Sequence, residues 1–135
     1  MTLIVCLDPK NGMIFNQRRQ SKDRQVYAKI SENLGADRLV VSQYSKSIFP
    51  DAYIAEMIPS DHSGDDVCFA ETKALCMDAL QYAKKLIVYR WDRNYPADFC
   101  FPEDLENGRW KLRMKREFPG YSHKIIAEEV YFCER

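Results

Sequence analysis

Short apolar runs rich in β-branched residues alternate along this chain with stretches of helical period, and that alternation limits the fold more than any other feature. Strand-like runs fall at Thr2–Asp8 (T-L-I-V-C-L-D), Arg38–Gln43 (R-L-V-V-S-Q), Tyr53–Met57, Val67–Ala70, Lys85–Trp91 (K-L-I-V-Y-R-W), Arg109–Phe118 and Glu128–Cys133. Between them, one helix is predicted to run to about Leu34 with Gly35 as its stop. A short helix or turn covers Tyr44–Phe49 and ends at Pro50, and a second helix covers Thr72–Tyr82 with Leu75, Ala79 and Tyr82 on one face. Strands separated by helices pair in parallel through crossovers, and a parallel sheet is covered on both faces. The closing strands have no helix between them, which predicts an antiparallel edge. The expected fold class is therefore α/β: a single domain with a mainly parallel twisted sheet, an antiparallel C-terminal edge and two main flanking helices.

Composition narrows the function classes. The chain has 135 residues, 46% of them hydrophobic and 13% aromatic, enough for one well-buried core without metal or disulfide support. Its 20 basic and 20 acidic residues balance, so no overall field draws it to nucleic acid or a membrane surface, and neither partner is expected. No apolar run approaches a membrane span. Leu3–Leu7 has only a strand's length and no basic leader, which argues against a signal peptide. Five cysteines without paired spacing (Cys6, Cys68, Cys76, Cys100 and Cys133) read as reduced thiols, as expected of a cytoplasmic protein. With only His62 and His123, and no C-x-x-C, no metal site is expected, and the histidine-rich cluster of a two-metal hydrolase such as ribonuclease Z is missing. His62 belongs to a polar loop. His123 reads as structural. Tyr89 and Trp91 alternate onto one sheet face as core.

The candidate site lies at the head of the first helix. Ser21 is the expected N-cap, with Asp23 in the first turn. Asp23, Tyr27, Ile30 and Leu34 share one face on a 3.6-residue period, and three of the four are apolar or aromatic. That stripe faces the sheet and carries the Asp23 carboxylate toward the sheet's end. A carboxylate there needs a partner, a raised pKa or a ligand. Two readings stay open: Asp23 satisfies backbone N–H groups, or it is a cleft carboxylate with a functional role. Arg18, Arg19, Lys22 and Arg24 cluster beside it, either as a solvated loop or as a loop that meets an anion at the helix start.

In outline the chain resembles the dihydrofolate reductase family from end to end. The opening L-I-V-C-L-D-P-K-N-G-M is similar to that family's first strand and glycine turn. S-K-D-R at 21–24 falls where the family has L-P-x-D, which places Asp23 on its substrate-binding acid. A-K-K-L-I-V-Y-R-W at 83–91, A-D-F-C-F-P at 97–102, Trp110, Ser122-His123 and the closing V-Y-F-C-E-R resemble its late strands.

The departures concern the cofactor. Gln17 and Arg18 stand where the family has Pro-Trp, and Ser42-Gln43-Tyr44-Ser45 stands in place of G-R-x-T, keeping only a hydroxyl. Ala70-Glu71 replaces the Gly-Gly beside the cofactor phosphates, and a glutamate there would repel a pyrophosphate. Nine residues join Tyr53–Met57 to Val67–Ala70 where the family inserts a further strand and helix, so most of the adenosine-binding part is expected to be lacking. No other nucleotide-binding glycine motif occurs. The resemblance thus implies a shortened, divergent member that binds a small flat or anionic molecule beside Asp23 and no longer uses NADPH. In that reading Asp23 orients the ligand, Tyr27 forms a wall, Arg18 or Arg19 meets negative charge, and Cys6 and Ser45 line the cleft. Two further readings stand beside it: an NADPH-dependent dihydrofolate or pterin reductase with a reduced cofactor site, and a non-enzymatic interaction protein. The oligomeric state is not written in the sequence.

Overall fold

A computed structural model of the chain describes residues 1–134. Ten strands and two α-helices form: β1 (Thr2–Leu7), β2 (Gly12–Phe15), β3 (Arg18–Arg19), α1 (Arg24–Leu34), β4 (Leu39–Val41), β5 (Tyr53–Ile54), β6 (Val67–Phe69), α2 (Lys73–Ala79), β7 (Lys85–Arg90), β8 (Phe99–Cys100), β9 (Trp110–Phe118) and β10 (Ile126–Cys133). A 3-10 turn at Gln43–Ser45 follows β4. Seven strands make the main sheet in the order β5-β4-β6-β1-β7-β10-β9. The first five are parallel, and β10 is antiparallel to both β7 and β9. The α/β class and the antiparallel C-terminal edge are as expected from the sequence.

The strand period sorts the core. Leu3, Val5 and Leu7 of β1 point to the face covered by α2, where they meet Cys68, Leu75, Ala79, Leu86 and Val88. Ile4 points to the other face, where Val26 and Ile30 of α1 pack with Val41, Phe69, Tyr89 and Trp91. Tyr27, Phe49 and Phe69 close that layer edge-to-face, with ring centroids 5.6–6.2 Å apart. Tyr89 and Trp91 are both core residues, as their alternation predicts.

Several local expectations are corrected. Asp23, not Ser21, caps α1: its backbone is extended and its side chain accepts the Gln25 N–H. The Ser21 hydroxyl is engaged elsewhere. Gly35 ends α1 at positive φ as predicted. α2 covers only Lys73–Ala79, with Thr72 as its cap, and β5 is two residues long. The loop expected around Arg18 and Arg19 is not open. Asn16 and Gln17 both take positive φ and turn β2 back onto β3 as a two-residue hairpin. β8 pairs with the other edge of β2, giving a small three-stranded sheet. Its short strands and non-glycine turn lack the composition that marks a hairpin in sequence.

Candidate functional site

α1 and α2 lie on opposite faces of the sheet, so the chain leaves the carboxyl ends of the adjacent strands β1 and β6 toward opposite sides. A crevice opens at such a point in an open α/β sheet. Asp8 and the β2–β3 hairpin follow β1, Ala70 and Glu71 follow β6, and Asp23 arrives at the start of α1.

Asp23 is buried, at 1% exposure, and fully partnered. It accepts from the backbone N–H groups of Gln25 (2.9 Å), Tyr121 (2.9 Å), Ser122 (2.8 Å) and His123 (3.1 Å), from the Ser122 hydroxyl (3.3 Å) and from His123 Nδ1 (3.0 Å). Burial alone would raise its pKa, but the Tyr121 N–H, the His123 ring and the Gln25 and Ser122 N–H groups together hold it well below the usual carboxylate range. Asp23 therefore ties the turn before β10 to the head of α1. Gly120 is required beside it, since a Cβ there would sit 2.7 Å from Asp23 Oδ2 and 2.6 Å from the His123 carbonyl oxygen.

Glu71 is a further buried carboxylate. Arg19 donates to it through Nε (2.7 Å) and Nη2 (2.8 Å), and the fully buried Ser45 hydroxyl donates at 2.7 Å. Arg19 also lies over the Tyr44 ring, 4.4 Å from its centroid, while its backbone N–H donates to the Tyr44 hydroxyl. Burial works against the Arg19 charge, but its bonds to Glu71 outweigh that and raise its pKa. The Tyr27 hydroxyl is buried without a hydrogen-bond partner, and burial, reinforced by the Glu71 charge, keeps the phenol protonated. Cys6 is similarly held as a thiol by burial and by Glu71.

These groups border two cavities. The inner one is about 10 Å³, room for roughly one water, and is lined by Cys6, Met13, Arg19, Gln20, Ser21, Ala70, Glu71 and Trp91. The outer one is about 560 Å³ and is lined by Ile14, Gln17, Tyr44, Thr72, Lys73, Asp98 and Phe99. A volume of that order suits a small organic ligand. The Arg19–Glu71 pair lines the inner cavity, and its neighbours Tyr44 and Thr72 line the outer one. A further cavity of about 570 Å³ lies near Leu34, at the other end of α1.

The structure thus gathers Arg19, Ser45, Tyr27 and Cys6 around Glu71, with Asp23 close enough to act on the Cys6 thiol. Arg18 is exposed and lines neither cavity. Four groups that sequence reasoning did not place in a site belong here. His123 Nε2 meets both the Ser21 hydroxyl and the Tyr95 hydroxyl at 3.0 Å, and Trp91 stacks on the His123 ring. Nothing in the spacing of these residues announces that meeting. Among the described residues no group of three or more His, Cys, Asp or Glu side chains is placed to hold a metal ion, and no helix is long and apolar enough to cross a membrane.

No family model matches the chain, and no curated protein sequence matches it. Among solved structures it is similar to a dihydrofolate reductase from Enterococcus faecalis complexed with NADP(H) and RAB-propyl, with a TM-score of 0.67 and 10% sequence identity, over 99% of this chain and 96% of that one. At that identity the likeness shows the fold. The chain has a dihydrofolate-reductase-like fold, as its sequence resemblance implied.

Proposed function

We propose that this chain is a ligand-binding protein of dihydrofolate-reductase-like fold that does not use NADPH, and that its ligand is a small flat molecule seated in the outer cavity. The observation that carries the reading is the Glu71 carboxylate held by Arg19 and Ser45. The family resemblance puts a glycine beside the cofactor phosphates at this position. Here a negative charge and a side chain occupy it, and the arginine expected to meet a ligand's charge meets the chain's own. These residues do not fit a dinucleotide pyrophosphate. The short connection between β5 and β6, without helix or strand over 55–66, agrees with an adenosine-binding part largely removed.

Asp23 enters this reading as a support, because its oxygens are filled and the adjoining space holds only about one water. The outer cavity supplies the ligand chemistry instead. Tyr44 and Phe99 are flat walls, Thr72 and Gln17 offer hydrogen bonds, and Lys73 lies over the Phe99 ring at 5.6 Å, where it would meet a carboxylate or sulfonate on an aromatic ligand. Anilinonaphthalene sulfonate, which is flat and anionic, is a suitable probe. Its fluorescence is expected to rise saturably with the wild-type chain and to lose most of that rise in Lys73→Glu. An equal response in both proteins would contradict this seat.

A second reading, an interaction protein, is favoured by β9. This nine-residue edge strand leaves Leu112 and Met114 exposed and has a free side opposite β10. Light scattering that gives only monomer at high concentration would remove self-association through that edge.

A further inference from the structure

We infer that Ser21, His123 and Asp23 form a nucleophilic triad able to cleave a small carboxylic ester through a covalent acyl-serine. The inference is independent of the ligand proposed for the outer cavity. Its basis is the geometry of three side chains brought together from two distant segments. Ser21 Oγ lies 3.0 Å from His123 Nε2, and His123 Nδ1 lies 3.0 Å from Asp23 Oδ2. This is the nucleophile–base–orienter order that activates a serine hydroxyl, and such triads are recognised by geometry and not by chain order.

The protonation pattern is fixed by the surroundings. Asp23 already accepts backbone N–H groups from Tyr121, Ser122 and His123, so it is an ionised acceptor and the proton on the imidazole sits at Nδ1. Nε2 is then a lone pair facing the Ser21 hydroxyl. The ring cannot swing away, since it is 5% exposed and stacks on Trp91 with centroids 4.5 Å apart. Ser21 itself is only half-buried, in contrast to its two partners.

The step balances without any further reagent. Ser21 Oγ attacks the ester carbonyl carbon while its proton passes to His123 Nε2. The C–O bond to the leaving alcohol then breaks, and Nε2 returns the proton to the alkoxide oxygen. Water, deprotonated by the same nitrogen, attacks the acyl-serine, releases the carboxylic acid and restores the hydroxyl. The inner cavity touches Ser21 and has room for about one water, and the buried Gln20 Oε1 on its wall has no partner. That space is too small for an acyl group, so the ester reaches Ser21 Oγ from its solvent-exposed side. Tyr95, whose hydroxyl also meets Nε2, is the competing nucleophile.

The test uses the full chain, p-nitrophenyl acetate and an alkyl fluorophosphonate. Wild-type protein is expected to hydrolyse the ester above the buffer rate and to gain one phosphonyl group, located on Ser21 by peptide mass spectrometry. Ser21→Ala is expected to lose both while its melting temperature stays within a few degrees, because the replaced side chain is not core. Phosphonylation at Tyr95 or Ser122 in place of Ser21 would overturn the inference. So would a wild-type chain that neither takes the label nor exceeds the buffer rate, or a folded Ser21→Ala that retains the full rate.

Discussion

Asp23 shows how one side chain can hold two distant pieces of chain. It caps α1 through Gln25, as an N-cap carboxylate often does. The same oxygens also collect the N–H groups of Tyr121, Ser122 and His123, which lie about a hundred residues on. Losing a cap alone costs about 0.5–2 kcal/mol, and each buried N–H left without an acceptor costs about 1–3 kcal/mol. Asp23→Ala is therefore expected to destabilise the fold by about 3 kcal/mol or more, as read from urea denaturation; a loss no larger than a cap's would mean the 121–123 turn finds other acceptors. The pH dependence has a definite sign. Because folding depresses the Asp23 pKa, its contribution is present above the unfolded value of about 3.9 and fades as pH falls below it. Wild-type stability should decline more steeply than that of Asp23→Ala as pH falls from about 5 toward 2. Parallel curves would show that Asp23 titrates alike in both states. The sequence placed Asp23 on the sheet-facing stripe of α1, and the 3.6-residue period was sufficient for that. It could not supply the partners, because the local pattern around His123 says nothing about a contact 100 residues away.

At the scale of elements, the β2–β3 hairpin and the segment after β6 are clamped by one ion pair. Arg19 comes from β3 and Glu71 from the entrance to α2, and the Glu71 side chain is 5% exposed. Removing the cation leaves a buried carboxylate with only the Ser45 hydroxyl. Arg19→Ala should cost toward the lower end of about 3–5 kcal/mol, since Arg19 keeps some solvent contact. The double variant Arg19→Ala/Glu71→Ala should cost clearly less than the sum of the two single changes. Additive losses in thermal denaturation would mean the pair does not clamp the hairpin. The longer elements were legible because their periods are strong: β1, β7 and α1 lie close to where the apolar pattern put them. The hairpin was not, because Asn16-Gln17 is not a composition that marks a tight turn, and β3 and β8 have two residues each. Ser21 was read as the helix cap on residue type alone. A hydroxyl and a carboxylate two residues apart compete for that place, and here the carboxylate takes it while the hydroxyl goes to His123.

For the whole molecule, a dihydrofolate-reductase-like sheet carries a crevice whose buried carboxylates Asp23 and Glu71 are held by the chain's own groups. Parallel pairing and the antiparallel edge follow from the spacing of apolar runs and were legible in the sequence, whereas the order of strands across the sheet was not. What fills the crevice could not. The sequence showed Glu71 where a glycine was expected and made it a charge that repels a cofactor. The structure makes it the anion that Arg19 and Ser45 already hold, a pairing across 52 residues that no local pattern records. In the proposed function this internal pair stands where a dinucleotide's phosphates would need to lie. Titration of NADPH into the wild-type chain by calorimetry is therefore expected to give no saturable heat up to millimolar NADPH. A saturable, one-to-one binding isotherm would contradict that proposal.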